Sequence, residues 1–233
     1  MRSKLAAILA ISLAMSPLAA RAASKEYPAA SRLDDSADVL ADMMKASDKG
    51  IPQDLMNKSH CVIVVPNLKK AGFVFGAKYG RGFVMCRRAG GVGWSAPAAI
   101  RIEGGSFGLQ IGASEQDVLL LVMNDTGMKR LLNNKFTIGG EASAAAGPVG
   151  REATAQTDAV MNAEMLSYSR SRGLFAGISL QGATLRPDDD ANAELYGSKT
   201  VTNKAILTGG VKTPAAAGRL ETLMNSNSSR QTR

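Results

Sequence analysis

Apolar and polar positions along the chain follow two different periods, and the change falls near residue 57. Between Ser31 and Ser47, Leu33, Ala37, Leu40 and Met44 recur at intervals of three and four, while Asp34, Asp35, Asp38 and Asp42 lie mostly elsewhere on the wheel. That spacing predicts an amphipathic helix, closed by Gly50 and followed by Pro52. After Asn57 the pattern shortens to β-rich runs: Cys61 to Val65, Phe73 to Tyr79, Phe83 to Arg87, Ala99 to Glu103, Phe107 to Ile111 and Val118 to Met123. Asn67 to Lys70, Gly80 to Gly82, Gly90-Gly91, Gly104-Gly105 and Gly112 to Gln116 read as the turns between them. Asp125 to Asn133 predicts a short helix with Asp125 as its cap. The Gly- and Ala-rich run Gly139 to Gly150 reads as a tightly packed loop, and strands are expected at Asn162 to Arg170 and Leu174 to Leu185. Short helices are expected from Pro187 to Tyr196 and from Pro214 to Met224, and the polar run Asn225 to Arg233 is expected to be a disordered tail.

The elements add up to one α+β domain dominated by antiparallel sheet, with an N-terminal amphipathic helix and short C-terminal helices. No Pro/Ser-rich linker and no internal repeat divides it. The expected layout is a signal segment over 1–22, a helical segment over 23–57, the main domain over 58–224 and the tail over 225–233.

The first 22 residues change the picture. Arg2 and Lys4 precede an apolar run from Leu5 to Met15, and Ala20-Arg21-Ala22 supplies a small-residue cleavage site. The run of about 11 residues is too short for a bilayer, which needs roughly 20. Cleavage would leave a mature chain starting at Ala23, exported to the periplasm or beyond the cell. It would also lower the net charge from +8 to +5, through loss of Arg2, Lys4 and Arg21. An oxidising compartment permits one disulfide, Cys61 to Cys86, closing a loop of about 25 residues and contributing roughly 3 kcal/mol. The alternative is two small buried apolar residues on neighbouring strands.

Candidate chemistry is sparse. One His and two Cys leave little for zinc or His-based catalysis. Gly104 to Gly108 matches the G-x-S-x-G nucleophile elbow around Ser106, but the only His, His60, lies upstream and a strand is expected where a helix should follow. The match reads as a Gly-flanked turn. Asp188, Asp190 and Asn192 have the spacing of a calcium loop, yet Ala193 and Lys199 stand where Gly and Glu are needed. The acidic run is better read as a helix start, its carboxylates capping N–H groups. No enzyme, metal site or cofactor is expected. His60 reads as structural.

Charge carries more. From Lys58 to Arg101 there are eight basic residues and no acidic one. On hairpin tips and alternate strand positions these would give one face a positive field; a basic face kept for solubility is the competing reading. The candidate binding residues on such a face are Lys69, Lys70, Lys78, Arg81 and Arg88, with Arg170 and Arg172 further along. Arg87 and Arg88 are neighbours on one strand and so point to opposite faces. Few aromatics are available for stacking, so nucleic acid is not expected as a partner. The N-terminal helix, with six acidic against four basic residues from Lys25 to Gly50, should pack on the domain rather than on an anionic membrane.

Five motifs then occur in order: V-V-P-N-L-K-K-A-G-F-V-F-G, W-S-A-P-A-A-I, G-G-S-F-G-L-Q-I-G, A-A-A-G-P-V-G-R, and S-Y-S-R-S-R-G-L-F-A-G-I-S-L-Q-G from Ser167, followed by D-D-D-A-N-A-E-L-Y-G. Together they resemble the SYLF domain family over about His60 to Thr208. The resemblance implies non-enzymatic, peripheral binding of phosphoinositides and other anionic phospholipids, and in some eukaryotic members binding of actin filaments. This sequence differs from those members in carrying no SH3 or FYVE module and in its signal-like start. It looks like an exported bacterial branch, for which an envelope phospholipid is the expected partner and actin is not. The alternative is an envelope protein-interaction domain that uses the same fold without lipid specificity.

Overall fold

A computed structural model describes residues 27–45, 50–133, 135–149, 162–171 and 174–231, with 73–75 and 106–111 described for the backbone alone. Two strands dominate it, β1 (Cys61–Cys86) and β2 (Ala98–Val122). They pair antiparallel from Cys61↔Val122 to Val84↔Ala98. The six short strands expected over this stretch are therefore two long ones. The glycines expected to end strands sit inside the ladder instead: Gly80 faces Ile102, Gly82 faces Ile100, and Gly104 faces Lys78.

The reason is curvature. A straight strand of this length would run roughly 85 Å, yet a disulfide joins its first and last residues, Cys61 and Cys86, at a Cα separation of 3.9 Å. β1 must double back, and the glycines make that passage possible. A Cβ on Gly82 would lie 2.0 Å from the Val64 carbonyl oxygen and 2.8 Å from the Val65 Cα; one on Gly80 would meet Val65 and Leu68. The two halves of β1 thus cross at backbone contact. Register shifts at Val65/Leu68 and Phe73/Phe75 release the ladder where it bends.

The remaining strands are β3 (Phe136–Thr137), β4 (Ala144–Ala146), β5 (Met165–Ser171), β6 (Leu174–Gly177) and β7 (Thr184–Pro187). They extend the sheet in the order β3-β7-β2-β5-β4, with β1 on β2 and β6 on β5. The β4–β5 pair is parallel and every other strand pairing is antiparallel. The strand expected from Leu174 to Leu185 is interrupted near Gly182, whose φ of +76° is a turn conformation with open space around it. Gly177 serves close packing: a Cβ there would lie 2.4 Å from the Gly147 carbonyl oxygen.

Alternation along β1 feeds two cores. Val62, Val64, Phe83 and Met85 pack beneath helix α1 (Ala29–Lys45), through Leu33, Ala37, Leu40 and Met43, and beneath α6 (Gly218–Asn227), through Leu220 and Met224. Cys61, Ile63, Val65, Val84 and Cys86 face the other way, against Ile100, Ile102, Val118 and Leu120. Helix α1 packs on the domain, as its acidic polar face implied. Four shorter α-helices, α2 (Gln53–Lys58), α3 (Asp125–Leu131), α4 (Asp189–Tyr196) and α5 (Asn203–Leu207), and a 3-10 turn at Ala215–Ala217 complete the described fold.

Several caps differ from expectation. Helix α3 is capped by Asn124, whose side-chain oxygen accepts from the Gly127 N–H, and not by Asp125. Asp188 stands at the N-cap of α4 without bonding its N–H groups, because its carboxylate is taken by Arg81. The start of α1 is served from a distance, the Ala29 N–H donating to Glu194 on α4. The polar run, expected to be disordered, is structured over its described residues 225–231. Its first residues finish α6, Arg230 bridges Val92, and the Gln231 N–H donates to the Gly91 carbonyl at 2.7 Å. Residues 1–22, read as a signal segment, lie outside the described residues.

Candidate functional site

The acid-free stretch does not form one surface. Folding β1 back on itself sends its middle to one end of the sheet and both of its ends to the other. Lys69, Lys70 and Lys78 lie beyond the crossing, on the side of the bend. Lys69 is exposed and 3.6 Å from Glu115 on β2. Lys70 is half-buried, and burial first, then the charge of Lys78, holds its ammonium below the usual lysine range. Lys78 reaches the Gln181 carbonyl at 3.4 Å. Eight positions apart in sequence, Lys70 and Lys78 are electrostatic neighbours in space.

The other candidates have different tasks. Arg81 grips the fully buried Asp188 with two donors, one at 2.8 Å, so it is a structural ion pair. Arg170 bonds Asp117 through two nitrogens at 2.9 and 3.2 Å and also reaches Asp42, tying β5 to α1. Arg88 is at the disulfide end, donating to the Trp94 carbonyl at 2.6 Å and lying 3.3 Å from Glu221. Arg172 lies outside the described residues. Arg87 points inward, as opposite faces of the strand require. It lies 3.8 Å over the Trp94 ring and donates to the carbonyls of Met56, Ser59 and Ser228. Burial lowers its pKa to about 10. Those carbonyls end or follow α2 and α6, where a cation is favourable.

Neither enzyme-like motif survives folding. Ser106 lies within β2, opposite Gly76, so the strand-to-helix turn of a nucleophile elbow is missing. In the calcium-like run, Asp188 is held by Arg81, and Asn192 accepts from the Ala99 N–H at 2.8 Å and donates to Asn203 at 2.6 Å. Among the described residues no cluster of three His, Cys, Asp or Glu could hold a metal ion. The Nδ1 of His60 is 3.1 Å from Asp125, on the rim of a cleft of about 820 Å³ at the disulfide end that Arg88, Met128, Leu207 and Lys212 also line.

The motif residues behind the family resemblance are mostly structural. The Ser167 hydroxyl donates to the carbonyl of Ile178 and lies 3.1 Å from that of Ala145, while buried Tyr168 stacks on Phe175 at 5.7 Å between ring centres. The Trp94 indole N–H donates to the Ser228 carbonyl at 2.7 Å, fixing the end of α6. Tyr196 donates to the Pro97 carbonyl at 2.7 Å. Sequence reasoning left out Arg101 and Arg186, which the pairing of β2 with β7 sets directly opposite each other; only the register could have joined them.

The class that this geometry defines is an α+β domain in which helices seal a curled antiparallel sheet and lysines gather at its bend. Among the described residues no helix is long and apolar enough to cross a membrane. The chain belongs to the Ysc84, or SYLF, family: the family model described as "Las17-binding protein actin regulator" matches residues 103–227. An SH3 domain-containing protein of Schizosaccharomyces pombe is 37% identical over 179 residues, covering 76% of this chain and 41% of that protein. Protein YSC84 of Saccharomyces cerevisiae is 33% identical over 190 residues, covering 80% and 40%. SH3 domain-containing YSC84-like protein 1 of Mus musculus is 35% identical over 180 residues, covering 77% and 52%. The chain thus spans about two fifths to a half of these curated relatives. The expectation that actin can be set aside gains no support from a family described as an actin regulator.

Proposed function

We propose that the domain binds anionic phospholipid headgroups peripherally and without catalysis, through Lys69, Lys70 and Lys78 at the bend of the sheet. The observation that supports the reading is that Lys69, Lys70 and Lys78 all lie on the bend side of the crossing in β1, with the charge of Lys78 felt at Lys70. A basic residue beside an anionic membrane is worth about 1 kcal/mol. Three would raise affinity by about a hundredfold, weakening as salt shortens the Debye length. Arg81 and Arg170 drop out of this reading because buried or nearly buried carboxylates hold them, and Arg88 because it lies at the opposite, disulfide end of the sheet. We place the protein outside the cytoplasm, with Ala23 as the mature N-terminus, on the strength of the signal-like first 22 residues; N-terminal sequencing of the native protein tests this.

The deciding experiment is co-sedimentation with vesicles of graded anionic content. Lys69→Glu with Lys70→Glu should remove most binding to anionic vesicles at low salt while preserving the circular-dichroism spectrum of the folded domain, since Lys69 is exposed and Lys70 only half-buried. Wild-type binding that ignores both lipid charge and salt would overturn the reading. A second reading, a protein-interaction domain, is favoured by the family description. Co-sedimentation with actin filaments, insensitive to the double charge reversal, would support it.

A further inference from the structure

Strand register puts three arginines in one row across the sheet: Arg81 on β1 faces Arg101 on β2, and Arg101 faces Arg186 on β7. Directly opposed residues share a face, and like charges so placed repel unless something lies between them. Two carboxylates do part of that work. Asp188 holds Arg81, and both oxygens of Glu103 are taken by Arg186 at 2.8 and 3.1 Å. The central arginine has only a long ion pair with the same Glu103. Its Nε is 3.9 Å from Glu103, beyond hydrogen-bonding distance, and is buried with no hydrogen-bond partner.

An orphaned buried donor on a cation calls for an explanation, and the cavity beside it offers one. A pocket of about 490 Å³ opens between Arg101 and Arg186 on one side and the segment joining α4 to α5 on the other, which brings Lys199, Thr200 and Thr202. The Thr202 oxygen already accepts from the Ala205 N–H, leaving its hydroxyl hydrogen to donate elsewhere. Asp189 is the one carboxylate in the lining. Three cations, Arg101, Arg186 and Lys199, thus stand against two carboxylates, Glu103 and Asp189, and the surroundings of the pocket keep a net positive charge. A guanidinium fork, an ammonium and hydroxyl donors around a small polar hollow match a tetrahedral oxyanion carrying several acceptor oxygens.

We propose that this pocket binds a phosphoryl anion, free or as part of a headgroup, with Arg101 and Lys199 as its principal contacts. The site stands apart from the lysines at the bend and does not depend on them. Inorganic phosphate is the first probe, titrated into the full mature chain at constant ionic strength and followed by calorimetry and melting temperature. Saturable binding is expected, with Arg101→Gln and Lys199→Gln each weakening it by about tenfold or more, the value of a charge-assisted hydrogen bond. Lys199 is exposed on a connecting segment, so its variant keeps the test valid if Arg101→Gln disturbs the arginine row. Lys69→Glu with Lys70→Glu should leave the phosphate titration unchanged, which separates this site from the membrane reading. Chloride matching phosphate in effect, or both pocket variants binding phosphate like wild type, would overturn the proposal. Phosphatidylcholine vesicles doped with phosphatidic acid, offered to the Lys69→Glu/Lys70→Glu variant so that the lysines at the bend contribute little, identify the source of the anion: residual binding that Arg101→Gln removes assigns a headgroup, and residual binding that Arg101→Gln leaves unchanged, with the phosphate titration intact, assigns free phosphate.

Discussion

Arg81 and Lys69 look alike in the sequence, both in a basic, acid-free stretch, and their environments separate them completely. Arg81 lies against a carboxylate with no solvent exposure, whereas Lys69 keeps about two thirds of its side-chain surface in water. Removing Arg81 strands a buried charge, which typically costs about 3–5 kcal/mol; removing an exposed lysine costs within about 0.5 kcal/mol. Arg81→Ala should therefore shift the urea midpoint strongly while Lys69→Ala barely moves it. Equal midpoints would mean that the Arg81–Asp188 pair does not hold α4 to the sheet. Arg87 makes the same point without a carboxylate: its charge is stabilised by an aromatic face and by carbonyls at two helix ends.

At the scale of elements, helix α1 is docked by an apolar stripe and trimmed by two arginines from distant segments. Arg170 reaches Asp42, and Arg219 reaches Asp38. The hydrogen bond from Arg219 holds the Asp38 carboxyl below its ordinary value of 3.8. A depressed folded value means that this contribution is present above about pH 3.8 and is lost as pH falls through the folded value. Both partners are largely exposed, so the effect on global stability is small. Hydrogen exchange should nevertheless show α1 loosening before the strands as pH drops through that window, and Asp38→Asn should flatten the dependence. Exchange in α1 that stays parallel to β1 throughout would show that apolar contact alone holds the helix.

For the whole molecule, the disulfide closes a curled strand rather than linking two neighbours. Cys61 and Cys86 are both fully buried, so reductant should reach them only when the sheet opens. The chain-entropy model gives about 3.5 kcal/mol for a loop of this length, a large share of the roughly 5–15 kcal/mol that holds a typical domain. Cys61→Ser with Cys86→Ser should lower the unfolding free energy by about that amount while preserving the native circular-dichroism spectrum. A variant as stable as wild type would mean that the crossing at Gly80 and Gly82, and not the covalent bond, fixes the curl.

The sequence by itself determined the features that depend on local spacing: the amphipathic α1, the apolar alternation of the strands, the predominantly antiparallel α+β class and the ordered motifs of the SYLF family. Local spacing reports which face a residue occupies, and burial on that face follows. It could not show that Gly80, Gly82 and Gly104 lie within continuous strands, because a glycine that permits a turn and one that admits a crossing backbone look identical in one dimension. Nor could it show that Lys70 and Lys78 come to the same side of the crossing, that Arg81 is consumed by a carboxylate 107 positions away, or that Arg101 stands between two other arginines. Those outcomes were decided by the curl of β1 and the register of β2 with β7, since charge interactions depend on distance in space and a strand that doubles back rewrites every such distance.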